Sequence, residues 1–147
     1  MYFCYYYYRI KNRKYAEFLS KLKNYPNIVI ASISSSPVFL GAAGLLNGYT
    51  YCGGLYQEII DDLPFMPKEG FVYKSCHKDR NIITAVGFAY REFAFEIAEH
   101  FNLDFDKKYF GPLEKDFSSR KISWEMDKQV LEIWKKDLND IRKVYNF

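Results

Sequence analysis

The stretch Ile28-Val29-Ile30-Ala31-Ser32-Ile33-Ser34-Ser35-Ser36-Pro37-Val38-Phe39-Leu40 decides how this chain folds. Its first six residues, rich in β-branched side chains, read as a strand buried on both faces, the mark of a central parallel strand. Three serines then supply turn and cap chemistry. Ser36 is placed to cap a helix and Pro37 to fill its first position, where a missing N–H costs nothing. That helix should run through Val38, Phe39, Leu40, Ala42 and Ala43 and end near Gly44 or Gly48. Strand, sharp turn and helix in one apolar stretch belong at the centre of an α/β domain.

No residue from Asn24 to Gln57 is charged. Residues 28–46 are long enough to raise a transmembrane reading, but Pro37, the glycines and the serines at 34–36 punctuate the run and argue against it. On either side the α/β alternation continues. Strands are expected at Tyr2–Tyr8, Tyr49–Tyr51, Phe71–Tyr73 and Ile82–Ala85, the last two joined through a hairpin-like turn at Lys78-Asp79-Arg80-Asn81. Helices are expected at Tyr15–Lys23, with Phe18, Leu19 and Leu22 inward, and at Leu55–Asp62, ended by Pro64. A third spans Tyr90–Phe101, with Tyr90, Phe93, Ala94, Ile97, Ala98 and Phe101 on one face. Residues 103–122 read as a loop-rich bridge. A last helix, capped by Ser123 and running to about Tyr145, carries the stripe Leu131, Trp134, Leu138, Ile141 and Tyr145. Packing of that stripe on the chain's own domain is favoured over docking on a partner.

A chain of 147 residues is one domain by length. It carries 14 Tyr, 13 Phe and 2 Trp, so large side chains for a core are plentiful. The net charge of +3 is too small to make nucleic acid the expected partner. Tyr5-Tyr6-Tyr7-Tyr8-Arg9-Ile10-Lys11 does interleave aromatics with cations in the manner of single-strand binders, but an apolar strand before a solvated helix start explains it as well. Cys4, Cys52 and Cys76 are odd in number and lack metal-ligand spacing, which points to a reducing cytoplasm with no structural disulfide and no metal site. Met1 is followed by aromatics, without the pattern of a signal peptide. His77 and His100 are the two histidines available as a general base. Asp61-Asp62 read as a solvated helix end.

Ala31-Ser32-Ile33-Ser34-Ser35-Ser36-Pro37, followed by Leu40 and Ala43-Gly44-Leu45-Leu46-Asn47-Gly48, resembles the elbow and following helix of the ThiJ/PfpI superfamily. This is a class I glutamine amidotransferase-like group. A second block, Asp79-Arg80-Asn81-Ile82-Ile83-Thr84-Ala85-Val86-Gly87 with Glu92-Phe93-Ala94 and Ile97, is similar to the family's "D-G-N-I-I-T-x-x-G" and "E-F-A". The two blocks cover about residues 15–103. The resemblance implies a flavodoxin-like three-layer sandwich with a mostly parallel sheet and an active site beyond the carboxyl ends of the strands. It further implies a domain over residues 1–110 that lacks the family's opening strand–helix–strand section, with residues 111–147 as a helical extension.

In active relatives the elbow residue is a cysteine whose thiolate is stabilised by the following helix. Here the elbow position is Ser34, and Ser35 stands where peptidase-like members carry histidine. Ser35 and Gly87 fall at binding positions beside the elbow, and Cys52 falls where relatives place a His or Cys facing it. The expectation is a binding or assembly module without cysteine-dependent catalysis or cofactor. It would dimerise through an exposed sheet edge or the C-terminal helix. The alternative is an amidase or hydrolase acting through Ser34, or a glyoxalase-like enzyme using Cys52.

Overall fold

A computed structural model describes residues 10–106 and 123–147. The strand expected at Tyr2–Tyr8 and most of the bridge at 103–122 lie outside the described residues. The rest is an α/β structure. In chain order it comprises α1 (Arg13–Ser20), β1 (Ile30–Ile33), α2 (Pro37–Ala42), β2 (Leu55–Tyr56), α3 (Gln57–Asp62), β3 (Cys76–Asp79), β4 (Ile82–Ala85), α4 (Tyr90–His100), β5 (Ser123–Trp124) and α5 (Lys128–Tyr145).

The larger sheet has the order β1-β4-β3, with β1 and β4 parallel and β3 antiparallel to β4. A second, two-stranded parallel sheet joins β2 to β5. Most pairings are thus parallel, as the α/β reading requires. The centre of the sheet is not where the sequence put it, however. β4 is buried at all four positions, whereas Ala31 of β1 is exposed. Among the described residues β1 is an edge strand. Its apolar composition marks a strand built to be covered, and composition alone does not say on which side a neighbour lies.

Alternation along the strands sorts the side chains between two faces. Ile30 and Ile82, paired in register, point into the main core with Val38, Leu40, Leu46, Leu55, Ile59 and Trp134. Ile83 and Ala85 point the other way, toward α4. Lys78, opposite Ile83, confirms that side by reaching Glu96 of α4 at 3.7 Å. Only the middle of α4 covers the sheet. Tyr90 and Phe101, expected on its inward face, are 59% and 54% exposed because they sit at the two ends of the helix. In α1 the buried residue is Ala16, with Leu19 and, in the turn after the helix, Leu22 packed on the core, while Phe18 points to solvent.

Several boundaries move for identifiable reasons. Tyr49–Tyr51 and Phe71–Tyr73 contract to one parallel bridge, Tyr51 to Phe71, so the hairpin arm facing β4 is Cys76–Asp79. Its tight turn places Arg80 at φ 52°. Leu55 and Tyr56 are claimed by β5 before α3 can start. Ser123 is correspondingly a strand residue, and the cap of α5 is Asp127, whose carboxylate accepts the Val130 N–H at 2.9 Å. Asn146 ends that helix in the left-handed region at φ 59°. The stripe of α5 joins the main core through Trp134, Leu138 and Ile141. Asp62 is no solvated helix end: it accepts the Trp134 indole N–H at 2.7 Å.

Trp134 is fully buried. Replacing it with alanine opens a large cavity and strands Asp62, so Trp134→Ala should lower the unfolding free energy by about 3–5 kcal/mol. Ile133→Ala, one residue earlier and 44% exposed, should change it by about 0.5 kcal/mol or less. Urea unfolding followed by circular dichroism measures both.

Candidate functional site

The elbow forms where β1 stops and α2 starts. Ser34 takes φ 64°, a left-handed conformation that costs a non-glycine residue roughly 1–2 kcal/mol. Two backbone hydrogen bonds hold it there. Its N–H donates to the Ala85 carbonyl at 2.8 Å, and its carbonyl accepts the Gly54 N–H at 2.8 Å. Glycines close around it. A Cβ on Gly53 would stand 3.0 Å from the Ser34 carbonyl oxygen, and one on Gly87 would stand 3.4 Å from Ser34 Oγ. Ser34 is half-buried, and no histidine or carboxylate among the described residues hydrogen-bonds its Oγ.

Behind the elbow the serines serve the backbone. Pro37 occupies the first turn of α2 as expected. Ser36 makes no side-chain cap. Its hydroxyl donates instead to the Ile33 carbonyl at 2.7 Å, so the 2.7 Å contact with Ser32 must be a hydrogen bond donated by Ser32. The Ser35 carbonyl accepts the Val38 N–H at 3.2 Å, continuing the turn into the helix.

Cys52 is brought to the same end of the sheet, but into its interior. It is completely buried, with its N–H donating to Thr84 Oγ1 at 2.9 Å and its thiol donating to the Thr84 carbonyl at 3.3 Å. Burial pushes the thiol up to about 11, against the opposing effect of the Thr84 hydroxyl. Cys76, on the α4 side of β3, is pushed up to about 12, again mainly by burial. Cys4 lies outside the described residues.

His77 does not reach the elbow either. Its Nε2 lies 2.8 Å from Thr50 Oγ1, and that hydroxyl donates to Asp79 Oδ2 at 3.0 Å. Thr50 therefore accepts from His77, which is held as the Nε2–H tautomer. Burial keeps its pKa below the ordinary value, so the ring is neutral at pH 7. The Asp79 carboxylate also accepts the Thr50 backbone N–H at 2.8 Å, the main cause of its lowered pKa. The cluster ties residue 50 to β3. His100 ends α4, where its ring stacks edge-on against Phe101.

Ser34 and Gly87 thus lie side by side, with Ser35 next in the turn and Cys52 held on Thr84 of β4. Sequence reasoning missed Gly53, Gly54 and Thr84. Thr84 carried a usable signal, a hydroxyl within the apolar run Ile82-Ile83-Thr84-Ala85, which must find partners when buried. Among the described residues no group of three or more His, Cys, Asp or Glu side chains could hold a metal ion. None of the described helices is long and apolar enough to cross a membrane.

With this geometry, the chain is similar to a Bacillus subtilis (strain 168) protein named "Uncharacterized protease YdeA". The two are 36% identical over 95 residues, which is 65% of this chain and 47% of the relative. The chain spans about half the length of that curated relative. No family model and no solved structure matches this chain.

Two predictions follow from the geometry at Ser34 and Cys52. Ser34→Gly removes the left-handed strain and should raise the unfolding free energy by up to about 1 kcal/mol in urea titration. A loss of stability would show that the hydroxyl makes net favourable contacts. Cys52 in the folded protein should react with iodoacetamide at pH 7.5 roughly 100-fold more slowly than free cysteine, read by peptide mass spectrometry. Because its folded pKa is raised, the folded state keeps a proton that the unfolded state releases. The stability contribution is therefore complete below pH 9 and lost as the pH climbs from 9.0 to about 11.

Proposed function

We propose that this chain is a ThiJ/PfpI-like, glutamine amidotransferase-like unit that works without cysteine-dependent catalysis, as a binding or assembly module. The observation that carries this reading is Ser34. It occupies a strand–turn–helix elbow with the strained backbone such elbows use, yet among the described residues no base hydrogen-bonds its hydroxyl. A serine needs a positioned base to attack a carbonyl. The similarity to a protein named as a protease supports the family reading over the matched 95 residues. A reducing cytoplasm suits the free thiols of Cys52 and Cys76.

The surface offered for assembly is the edge of β1. Ile30 and Ser34 direct their N–H groups toward β4, so those of Ala31 and Ile33 point away from it. No strand among the described residues covers that side. An open edge of this kind is a template for pairing with another chain, here a second copy. α5 offers less, because its apolar stripe is already buried in the chain's own core.

A second reading, an amidase or hydrolase acting through Ser34, is favoured by the backbone strain itself, since such strain clusters at functional sites. The glyoxalase-like variant through Cys52 would need a thiolate, and burial keeps that thiol protonated at neutral pH.

The readings separate in two measurements. Wild type and Ser34→Ala should hydrolyse p-nitrophenyl acetate at the same background rate; Ser34-dependent turnover would move the assignment to the hydrolase. Light scattering after size exclusion should give twice the 17.5 kDa chain mass, and Ala31→Pro, which removes an outward N–H, should shift the protein toward monomer. A folded wild-type monomer would refute the assembly role.

A further inference from the structure

A cleft of about 290 Å³ opens at the other end of the β1–β4 pair, where Ile30 and Ile82 begin their strands. Ser34 lies four residue steps along the strand from Ile30, about 13 Å, so the cleft is remote from the elbow. Its floor is apolar, made by Ile30, Ile82 and Leu45, all buried. Its rim is polar and carries one charge. Lys23 comes from the turn after α1, and Asn47 from the loop after α2.

The chain is shaped to bring these two groups together. Gly44 sits at φ +67°, and a Cβ there would stand 2.8 Å from Lys23 Nζ and 3.6 Å from Asn47 Nδ2. The absence of a side chain at Gly44 is what gives the ammonium its place. Lys23, like Lys14, Lys21, Lys74, Lys128 and Lys136, has no carboxylate partner among the described residues, which leaves its ammonium available at the rim. On the far rim Asn81 is held in place: its Nδ2 donates to the Ile28 carbonyl at 2.8 Å and its Oδ1 accepts from the Tyr49 hydroxyl at 3.2 Å. The Arg80 guanidinium lies over the Tyr49 ring at 3.4 Å and keeps that wall rigid.

We infer that this cleft binds a small carboxylate with a compact apolar body, its anionic group on Lys23 and Asn47 and its body on Ile30, Leu45 and Ile82. An unpaired ammonium next to an amide donor makes charge-assisted hydrogen bonds to a carboxylate. An apolar floor bounded by a few placed polar groups is the usual build of a small-molecule site. The volume equals that of about ten waters, which suits a single ring or a short branched chain.

Sodium benzoate serves as the probe, with benzyl alcohol as its uncharged counterpart, in titrations followed by ¹H–¹⁵N correlation spectra. Benzoate should shift the Gly44, Asn47 and Asn81 amides saturably. Benzyl alcohol should bind at least about tenfold more weakly, and Lys23→Met should weaken benzoate by the same factor, about 1.4 kcal/mol. Lys23→Arg should retain most of the affinity. Lys23 is exposed, so none of these variants threatens folding. Absence of saturable shifts up to about 10 mM benzoate, equal binding of the two probes, or an unchanged Lys23→Met would each overturn the assignment. Shifts centred on Ser34 and Gly87 would do so as well.

Discussion

Hydrogen bonds from the Ile30 and Ser34 N–H groups to the Asn81 and Ala85 carbonyls, both 2.8 Å, clamp the two ends of β1 onto β4. Nearly everything else in the fold hangs on that clamp. It places Ile30 beside Ile82 to begin the main core, and Ser32 beside Thr84 in its polar interior. It sets the elbow against Gly87, which follows β4, and leaves α2 to start at Pro37 with its apolar side already facing the core. At the opposite end it fixes Asn81, whose side chain reaches back to the Ile28 carbonyl and forms one wall of the cleft.

The same pairing explains how polar groups are kept inside. Thr84 is 1% exposed on the central strand and would be costly if unpaired. Cys52 relieves it, offering a backbone N–H to its hydroxyl and a thiol to its carbonyl. The thiol is therefore a small buried hydrophobe with one weak donor, engaged in holding the 52–54 turn to β4. That turn then supplies Gly54, whose N–H caps the Ser34 carbonyl. Cys52 thereby links the centre of the sheet to the elbow.

The strand–turn–helix at 28–42 and the proline start of its helix were legible because apolar continuity, serine turn chemistry and Pro37 all agree on one answer. The α/β class followed from it. The edge position of β1 was not legible, since a strand's composition reports that it is apolar but not which neighbours it finds. Two-residue strands at Leu55–Tyr56 and Ser123–Trp124 have no periodicity to read; their pairing across the chain is tertiary, and it displaced both a helix start and a cap. Phe18, Tyr90 and Phe101 show the same limit, because periodicity identifies a stripe while the length of the surface beneath it decides which residues are covered. Ser34 and Gly87, picked out by motif position, lie side by side. Gly53, Gly54 and Thr84 gain their importance only from contacts that cross about 20 to 30 residues of sequence.

The strain at Ser34 bears directly on what a serine means at this position. A left-handed residue other than glycine costs roughly 1–2 kcal/mol, and two backbone hydrogen bonds of about 0.5–1.5 kcal/mol each are of a size to offset it. Both bonds run through the Ser34 main chain, to Ala85 and from Gly54, and neither involves Oγ. The elbow is therefore held by its neighbours whatever side chain it carries. A fold built this way keeps the turn in shape independently of the side chain at position 34, because the shape serves the sheet and the helix first. Chemistry at such an elbow depends on the side-chain atom and its partners alone, and here that atom is a hydroxyl packed against Gly87 with no base in reach among the described residues.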